Sequence, residues 1–290
     1  FDVPVDDFNT SLWDPLGDYL GDLGVTIHLG TRVEVLQQTA SGWRVTTAAS
    51  EASYDAVVLA ADPRASRNLI AGLHGDASQL ADLQARAARR RNAPPFAVIR
   101  LWMSDTVRAD RPAFLGTSGY QLLDNISVLE RFEATAAGWT QAHGWSVLEL
   151  HAYAVDGPAD PDSARGQAIR AALLADMVQV FPETQDMQIV AEEYLVEDDC
   201  GLADVSAWQD HPEVDTGVAG LKLAGDWIRA PLPVALMERA ATTGFLAANK
   251  LLAGWHVTGH DLHSPPRRGL LRRSALGRAV RRVALPKGTR

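Results

Sequence analysis

The spacing of apolar residues predicts helices around a group of short strands in the first third of the chain. Leucines and a tyrosine at helical spacing predict a helix over residues 11–23, which Gly24 ends. Four β-type runs follow it: Val25–Leu29, Arg32–Gln37, Trp43–Thr47 and Tyr54–Ala60. The last run is continuously apolar at its centre, so we expect a buried parallel strand in a sheet with both faces covered. Residues 62–91 are predicted to be helical.

A second unit is predicted after residues 92–95, where two prolines interrupt the helical pattern. Its β-type runs are Phe96–Met103, Ser146–Val155 and Met187–Val196. Together with an amphipathic helix over 163–180, they predict an open sheet with helices on one side. A short apolar run over 221–224 then predicts a buried strand, and residues 234–253 are predicted to be a helix.

Charge changes this picture at one end of the chain. The net charge is −9, but residues 267–290 contain eight Arg, one Lys and no acid, so the rest carries 18 basic and 36 acidic side chains, or −18. Such a body repels phosphate, and we expect no nucleic-acid partner. The single cysteine, Cys200, excludes an internal disulfide and favours a reducing cytoplasm. Without a signal-type start or an apolar run of about 18 residues, we expect a soluble or peripheral protein.

The most informative stretch combines Leu221–Trp227 with Leu232–Glu238 and the small residues that follow. An apolar strand ends at Gly225, which permits close backbone approach to a ligand, and the adjacent Asp226 can accept hydrogen bonds from a polyol. Pro233 precedes a helix whose first N–H groups form a site for negative or electron-rich groups. The plain alternative is a strand-turn-helix with an Asp at its turn.

This stretch resembles the C-terminal FAD-binding motif of the flavoenzyme family that contains amine oxidases, phytoene-type desaturases and squalene-processing enzymes. The resemblance implies that FAD is the cofactor and that Asp226 binds its ribityl chain. It implies further that Gly225, Met237 and Glu238 contribute mainly backbone near the flavin, with Pro233 fixing the entry of the helix.

Two upstream segments agree with this resemblance, and two features depart from it. The strand around Val33 resembles the family's adenine-contacting strand, and Ala60 and Ala61 resemble a turn that passes beside the dinucleotide; ordinary strands remain the alternative. The family often has Gly where this chain has Arg239. No Gly-x-Gly-x-x-Gly follows a strand, although the fold relies on that turn to bind pyrophosphate. We therefore expect a fragment of a longer enzyme or one partner of a split enzyme.

The implied fold class is α/β (α+β), with a partial FAD-binding Rossmann-like domain and a substrate domain whose open sheet is covered by helices. Four parts are predicted along the chain. Residues 1–91 contain part of the substrate-domain edge together with strands of the FAD-binding domain, and residues 92–215 form the substrate domain. Residues 216–258 form the C-terminal FAD-binding strand and helix, and residues 259–290 are a basic tail.

Within the family, the chain resembles the carotene desaturase/methyltransferases that convert a β-ionone ring to an aromatic ring. The segments that carry this resemblance are Phe1–Pro4, Leu12–Leu16, Arg111–Tyr120 and Leu123–Arg131. The resemblance implies an FAD-dependent oxidoreductase acting on an apolar polyene, a carotenoid, by ring desaturation with a methyl shift. Nearby carboxylates or aromatic faces would stabilise the cationic character of such a shift.

Other functions stay open. Squalene-type chemistry shares the apolar substrate, and a binding module without activity is the non-enzymatic alternative. An amine oxidase is disfavoured, because the amine-oxidising branch commonly places a lysine in its substrate domain. The only lysines of this chain are Lys222, Lys250 and Lys287.

Catalytic residues are not assigned from the sequence. The acid/base candidates are Asp124, Glu130, Glu149 and His151, each more often structural, and the last two are expected on opposite faces of one strand. Trp102, Tyr120 and Trp145 are expected to be core residues, and Arg100 is expected to pair with an acid of its sheet. Residues 267–290 are predicted to contact an anionic membrane surface peripherally, with a solvated tail as the alternative.

Overall fold

The computed structural model describes residues 3–74, 77–157 and 160–264. The chain divides into two compact units. Unit 1 comprises Phe1–Glu34, Thr46–Ser50 and Arg90–Asp204, and unit 2 comprises Val35–Val45, Glu51–Arg89 and Val205–Arg290. The predicted domains are continuous segments, whereas each unit is assembled from several segments. Within the described ranges, no helix is long and apolar enough to cross a bilayer.

The described residues form six α-helices and ten strands. The helices are α1 (Asp14–Asp22), α2 (Pro63–Ala71), α3 (Ala77–Ala88), α4 (Ala134–His143), α5 (Ala164–Val180) and α6 (Leu236–Gly254). The first strands are β1 (Val33–Thr39), β2 (Gly42–Thr47), β3 (Glu51–Tyr54), β4 (Val57–Leu59) and β5 (Phe96–Met103). The others are β6 (Phe114–Gly116), β7 (Asn125–Val128), β8 (Val147–Ala152), β9 (Ile189–Glu197) and β10 (Leu221–Leu223). A π-helical turn, Asn9–Trp13, precedes α1.

The strands predicted before residue 61 form two ladders instead of one covered sheet. β1, β2 and β3 make a three-stranded sheet, and β4 pairs with β10 in a two-stranded ladder. The run Tyr54–Ala60 is therefore split between β3 and β4. Within the described residues, Val25–Leu29 forms no strand, contrary to its prediction, because its apolar side chains find no surface that buries them; Leu29 is 88% exposed.

Unit 1 is built on a five-stranded antiparallel sheet in the order β6-β7-β8-β5-β9. Alternate residues of β5 are buried on one face, where they pack with Ile169, Leu173 and Met177 of α5. Ser163 begins α5 by accepting a hydrogen bond from the Gly166 N–H at 3.0 Å. The sheet and this helix confirm the open, helix-covered sheet that the sequence predicts.

Helices lie on both faces of this sheet, not on one. Ala136 of α4 packs with Leu129 and with Val147 of β8, on the face opposite α5. We call this side, which also carries Arg100 and Glu149, the second face. The sequence pattern did not indicate α4, β6 or β7, because their segments are short and do not show a clear apolar period.

An ion pair fastens the turn after α5 to the loop before β6. The Arg111 guanidinium donates two hydrogen bonds to the Glu183 carboxylate, at 2.7 and 2.5 Å, and lies 4.4 Å from the centroid of the Phe181 ring. The Arg111 hydrogen bonds hold the pKa of Glu183 at about 2, well below its usual value of 4.5. Both side chains are less than one-fifth exposed, so solvent screens the pair only in part.

We expect acid to weaken the fold through Glu183. Because its pKa is lower in the folded chain, the stabilisation is present above about pH 4.5 and is lost as the pH falls toward 2. Glu183→Gln should lower the free energy of unfolding at pH 7 by on the order of 2 kcal/mol and flatten its pH dependence below pH 5. Denaturant unfolding at a series of pH values measures both effects. Glu197→Gln, at an exposed position, is the control and should leave the slope unchanged.

Candidate functional site

Two parallel strand ends in unit 2 carry four of the eight predicted site residues. β4 and β10 pair in parallel, so their carboxyl ends meet at one edge. Ala60 and Ala61 follow β4, and Gly225 and Asp226 follow β10. The indole N–H of Trp227 donates to the Ala61 carbonyl at 3.2 Å, which joins the two turns. The crevice outside such strand ends is where open α/β sheets bind ligands.

The turn after β10 requires glycine. Gly225 has a φ of +138°, and a Cβ there would lie 2.9 Å from the indole nitrogen of Trp227. Its N–H donates to the Thr243 hydroxyl at 2.9 Å, and that hydroxyl also lies 3.0 Å from the Gly225 carbonyl. Thr243 is fully buried in α6. The turn is thus held by the helix that follows it.

Arg239 ties the same turn to the proline-rich segment before α6. Its guanidinium donates to the Asp226 carbonyl at 3.1 Å and to the Val234 carbonyl at 2.9 Å, and lies 5.3 Å from the centroid of the Trp208 ring. The residue that departs from the family pattern therefore joins two segments of backbone. The half-buried Asp226 carboxylate belongs to a turn fixed from two sides.

The start of α6 suits an electron-rich ligand. Its N-cap is Ala235, and among the described side chains none caps it. Leu236 has a φ of +51°, and Leu236 and Met237 are 74% and 62% exposed. Glu238 lies exposed in the first turn and Pro233 is exposed before it. Uncapped N–H groups at a helix start bear partial positive charge, which fits the acceptor atoms of a flavin.

Val33, in contrast, is a predicted site residue outside unit 2. It is the half-buried first residue of β1 and belongs to unit 1. Its adenine contact stays a prediction. Conversely, Thr243, Trp227 and Arg239 hold the site and were not predicted to do so. The one feature of the sequence that could have indicated these contacts is a threonine among the small residues of α6.

The acid/base candidates of unit 1 lie on or beside its sheet. Glu149 and His151 share the second face, and the His151 Nε2 lies 2.9 Å from the Glu149 Oε1. Their predicted placement on opposite faces is wrong, because residues two apart on a strand point the same way. Arg100 donates to Glu149 at 3.0 and 2.7 Å, as its predicted pairing requires. The Tyr153 hydroxyl lies 3.1 Å from the His151 Nδ1 and extends the network.

Among these carboxylates, Glu149 is the one whose burial is best offset by hydrogen bonds and a neighbouring positive charge. Burial alone would raise its pKa, but the hydrogen bond with His151 and the charge of Arg100 outweigh burial and hold the pKa below its usual value. Glu130 accepts hydrogen bonds from the Ser146 hydroxyl at 2.6 Å and a backbone N–H at 3.1 Å. Asp124 accepts one from the Tyr153 N–H at 2.6 Å. Glu130 and Asp124 thus hold backbone in place.

Comparison with known sequences gives two curated relatives. The chain is 43% identical over 287 residues to carotenoid phi-ring synthase of Streptomyces griseus, covering 98% of this chain and 53% of that protein. It is 32% identical over 250 residues to carotenoid phi-ring synthase of Chlorobaculum tepidum, covering 83% of this chain and 36% of that protein. The chain therefore spans about half the length of the first relative and about a third of the second.

Solved structures share the fold at low sequence identity. Reduced UDP-galactopyranose mutase superposes with a TM-score of 0.62 at 11% identity, covering 83% of this chain and 50% of that one. An oxidoreductase from Methanosarcina mazei superposes with a TM-score of 0.56 at 15% identity, covering 83% and 54%. At these identities the likeness concerns the fold alone.

The family comparison agrees with the turn and helix described above. Residues 7–252 match the family described as flavin containing amine oxidoreductase. This range includes β4, β10 and most of α6, and FAD is the cofactor that the family indicates. The chain belongs to the flavin-containing amine oxidoreductase family.

Proposed function

We propose that the protein containing this chain uses FAD to desaturate the end ring of a carotenoid, giving an aromatic ring with one shifted methyl group. The observation that carries the proposal is the 43% identity, over 98% of the chain, to a carotenoid phi-ring synthase. The chain spans 53% of that relative, so the activity and substrate of the whole protein are part of the proposal.

The residues of unit 2 would hold the cofactor and orient it. The Asp226 carboxylate would accept hydrogen bonds from the ribityl hydroxyls, Gly225 would let the backbone approach, and the N–H groups at the start of α6, near Met237 and Glu238, would offer partial positive charge to the flavin. FAD supplies the acceptor for hydride, and the protein contributes position and electrostatics. This assignment is supported by the φ of +138° at Gly225 and the absence, among described side chains, of a cap on α6.

An apolar substrate is favoured over an amine by the lysine contacts. Lys222 donates to the Asp215 carboxylate at 2.8 Å, and Lys250 lies 3.8 Å from the same carboxylate. Both belong to unit 2 and are engaged in an ion-pair cluster. Neither lies in the sheet of unit 1, where the amine-oxidising branch would place its lysine.

Flavin retention should depend on the Gly225–Asp226 turn. Asp226→Ala removes a charge-assisted acceptor and should cost about 1.5 to 3 kcal/mol of cofactor affinity. Thr243→Val keeps the shape of the side chain but removes the partner of the Gly225 N–H, so it should lower retention as well. The flavin absorbance of the complete protein after dialysis measures both losses.

The matched control for this experiment is Thr242→Val. Thr242 is also buried in α6, one residue from Thr243, and its described contacts do not include the Gly225 turn. The Thr242→Val protein should retain as much flavin after dialysis as the unaltered protein. Full flavin content in Asp226→Ala after dialysis would show that this carboxylate does not hold the cofactor.

Carotenoid conversion tests the function itself. Cells that make β-carotene and express the complete protein should accumulate carotenoids with aromatic end rings, identified by chromatography and mass spectrometry. The Asp226→Ala protein should convert little, since it retains less flavin. Unchanged β-carotene together with oxidation of an added amine would instead favour the amine-oxidising alternative.

We also propose that the protein contacts membranes peripherally through residues 267–290, which lie outside the described residues. Nine basic side chains without an acid support this, at roughly 1 kcal/mol for each basic residue near an anionic leaflet. Cosedimentation with anionic vesicles should be strong at low salt and weak at high salt, and should fall when the segment is deleted. Equal binding of both forms would refute the role of this segment. A cytoplasmic location remains part of the same proposal.

A further inference from the structure

A cleft of about 360 Å³ lies in unit 1, between α4 and the second face of the sheet. Its walls include Trp102, Val147 and Ala191 from the sheet, Ala136 and Trp139 from α4, and Glu133 just before α4. These walls are mostly apolar, and the volume lies within the range of small-molecule sites. A methyl-substituted six-membered carbon ring fits such a space. Trp102, expected to be a core residue, is a wall of this cleft.

Glu133 is the unusual member of this lining. It is 8% exposed, and among the described residues its carboxylate accepts no hydrogen bond. Burial raises its pKa above the usual value, and the neighbouring acids add to this while Arg100 opposes it. Buried carboxylates are ordinarily paired, because leaving one alone is costly. A cation that entered the cleft would relieve this cost.

Arg100 also lines the cleft, but its positive charge is already engaged by another carboxylate. Arg100 donates two hydrogen bonds to Glu149, which His151 also contacts. On the other side, carboxylate oxygens of Asp6, Asp7 and Glu133 lie within 4.8 Å of one another. The uncompensated charge at this end of the cleft is therefore negative.

Aromatic faces complete the lining. The indoles of Trp102 and Trp139 line the cleft. Behind them, Trp139 stacks on His143 with the ring centroids 4.1 Å apart, and His143 stacks on Trp145 at 5.0 Å. Trp102 packs against the small apolar cluster that contains Ala136. Indole faces attract cations, and the attraction increases when water is excluded. A carboxylate beside indoles thus favours a ligand that has an apolar carbon skeleton and carries a positive charge.

We propose that this cleft binds the cationic form of a six-membered carbon ring and that Glu133 is a catalytic residue within it. The inference rests on the proposed function, because removing hydride from the end ring leaves such a cation. FAD, when bound, would accept that hydride with its electron pair. A methyl group then moves with its bonding pair to the cationic carbon. A neighbouring C–H bond breaks, its pair forms one of the two C=C bonds that aromatisation adds to the ring, and the proton passes to the Glu133 carboxylate.

Binding of a stable ring cation tests the site without turnover. The probe is N,N-dimethylpiperidinium, and its uncharged counterpart is a gem-dimethylcyclohexanone; both are titrated against the flavin-loaded complete protein by ligand-observed NMR. The cation should bind about tenfold more tightly, and Glu133→Gln should abolish that preference. Ala191→Trp, which projects into the cleft from an exposed strand position, should block both ligands.

Ala137→Trp is the matched control, because Ala137 lies on the exposed side of α4 next to the lining residue Ala136. It should leave binding unchanged. Equal preference for the cation in the unaltered and Glu133→Gln proteins, or binding that survives Ala191→Trp, would overturn the inference.

Turnover separates this inference from the proposed function. Glu133→Gln should reduce the formation of aromatic carotenoid by about a hundredfold while flavin content stays unchanged, with partial recovery in Glu133→Asp. Full conversion by Glu133→Gln would overturn the catalytic role and leave the proposed function standing. Absence of conversion in the unaltered protein, with the cation preference intact, would instead overturn the proposed function and support the cation site.

Discussion

The backbone conformation at Gly225 is the constraint on which the candidate cofactor site depends. A φ of +138° brings the chain from the end of β10 under the Trp227 ring, where no Cβ would fit. The buried Thr243 hydroxyl then fixes that turn against α6, and Arg239 fixes it against the segment before α6. The position of the Asp226 carboxylate and the direction of the helix start are set together, so neither can shift alone.

Local features of the sequence predicted much of this architecture. The small-residue helix and the strand before it follow from short-range periodicity, and the structure has them at Leu236–Gly254 and Leu221–Leu223. The predictions failed where the formation of a strand depends on residues that are distant in the sequence. Val25–Leu29 has strand-forming residues, but among the described strands none pairs with it. β7 was missed because its four residues are buried on both sides, two of them polar, and show no alternation.

The candidate site was predictable to the same extent. Gly225 and Asp226 stood out because a glycine and an acid after an apolar strand, followed by proline and a helix, form a compound pattern. The contacts of Thr243 and Arg239 could not be read from spacing, since they form only when α6 packs beside the turn. Nothing in the sequence pattern indicated a role for Glu133. Its burial arises from α4 lying over the second face of the sheet, which local sequence does not encode.

The two units offer different kinds of chemical groups. Unit 2 offers mostly backbone, from strand ends and a helix start, which suits a cofactor that any member of the family must bind. Unit 1 offers side chains on a sheet, where substitution changes the site without disturbing the fold. On its second face Arg100 and His151 both contact the Glu149 carboxylate, whereas the Glu133 carboxylate lies beside two indoles. An electrostatic difference of this kind within one apolar cleft favours a transient cation over a neutral hydrocarbon of the same shape.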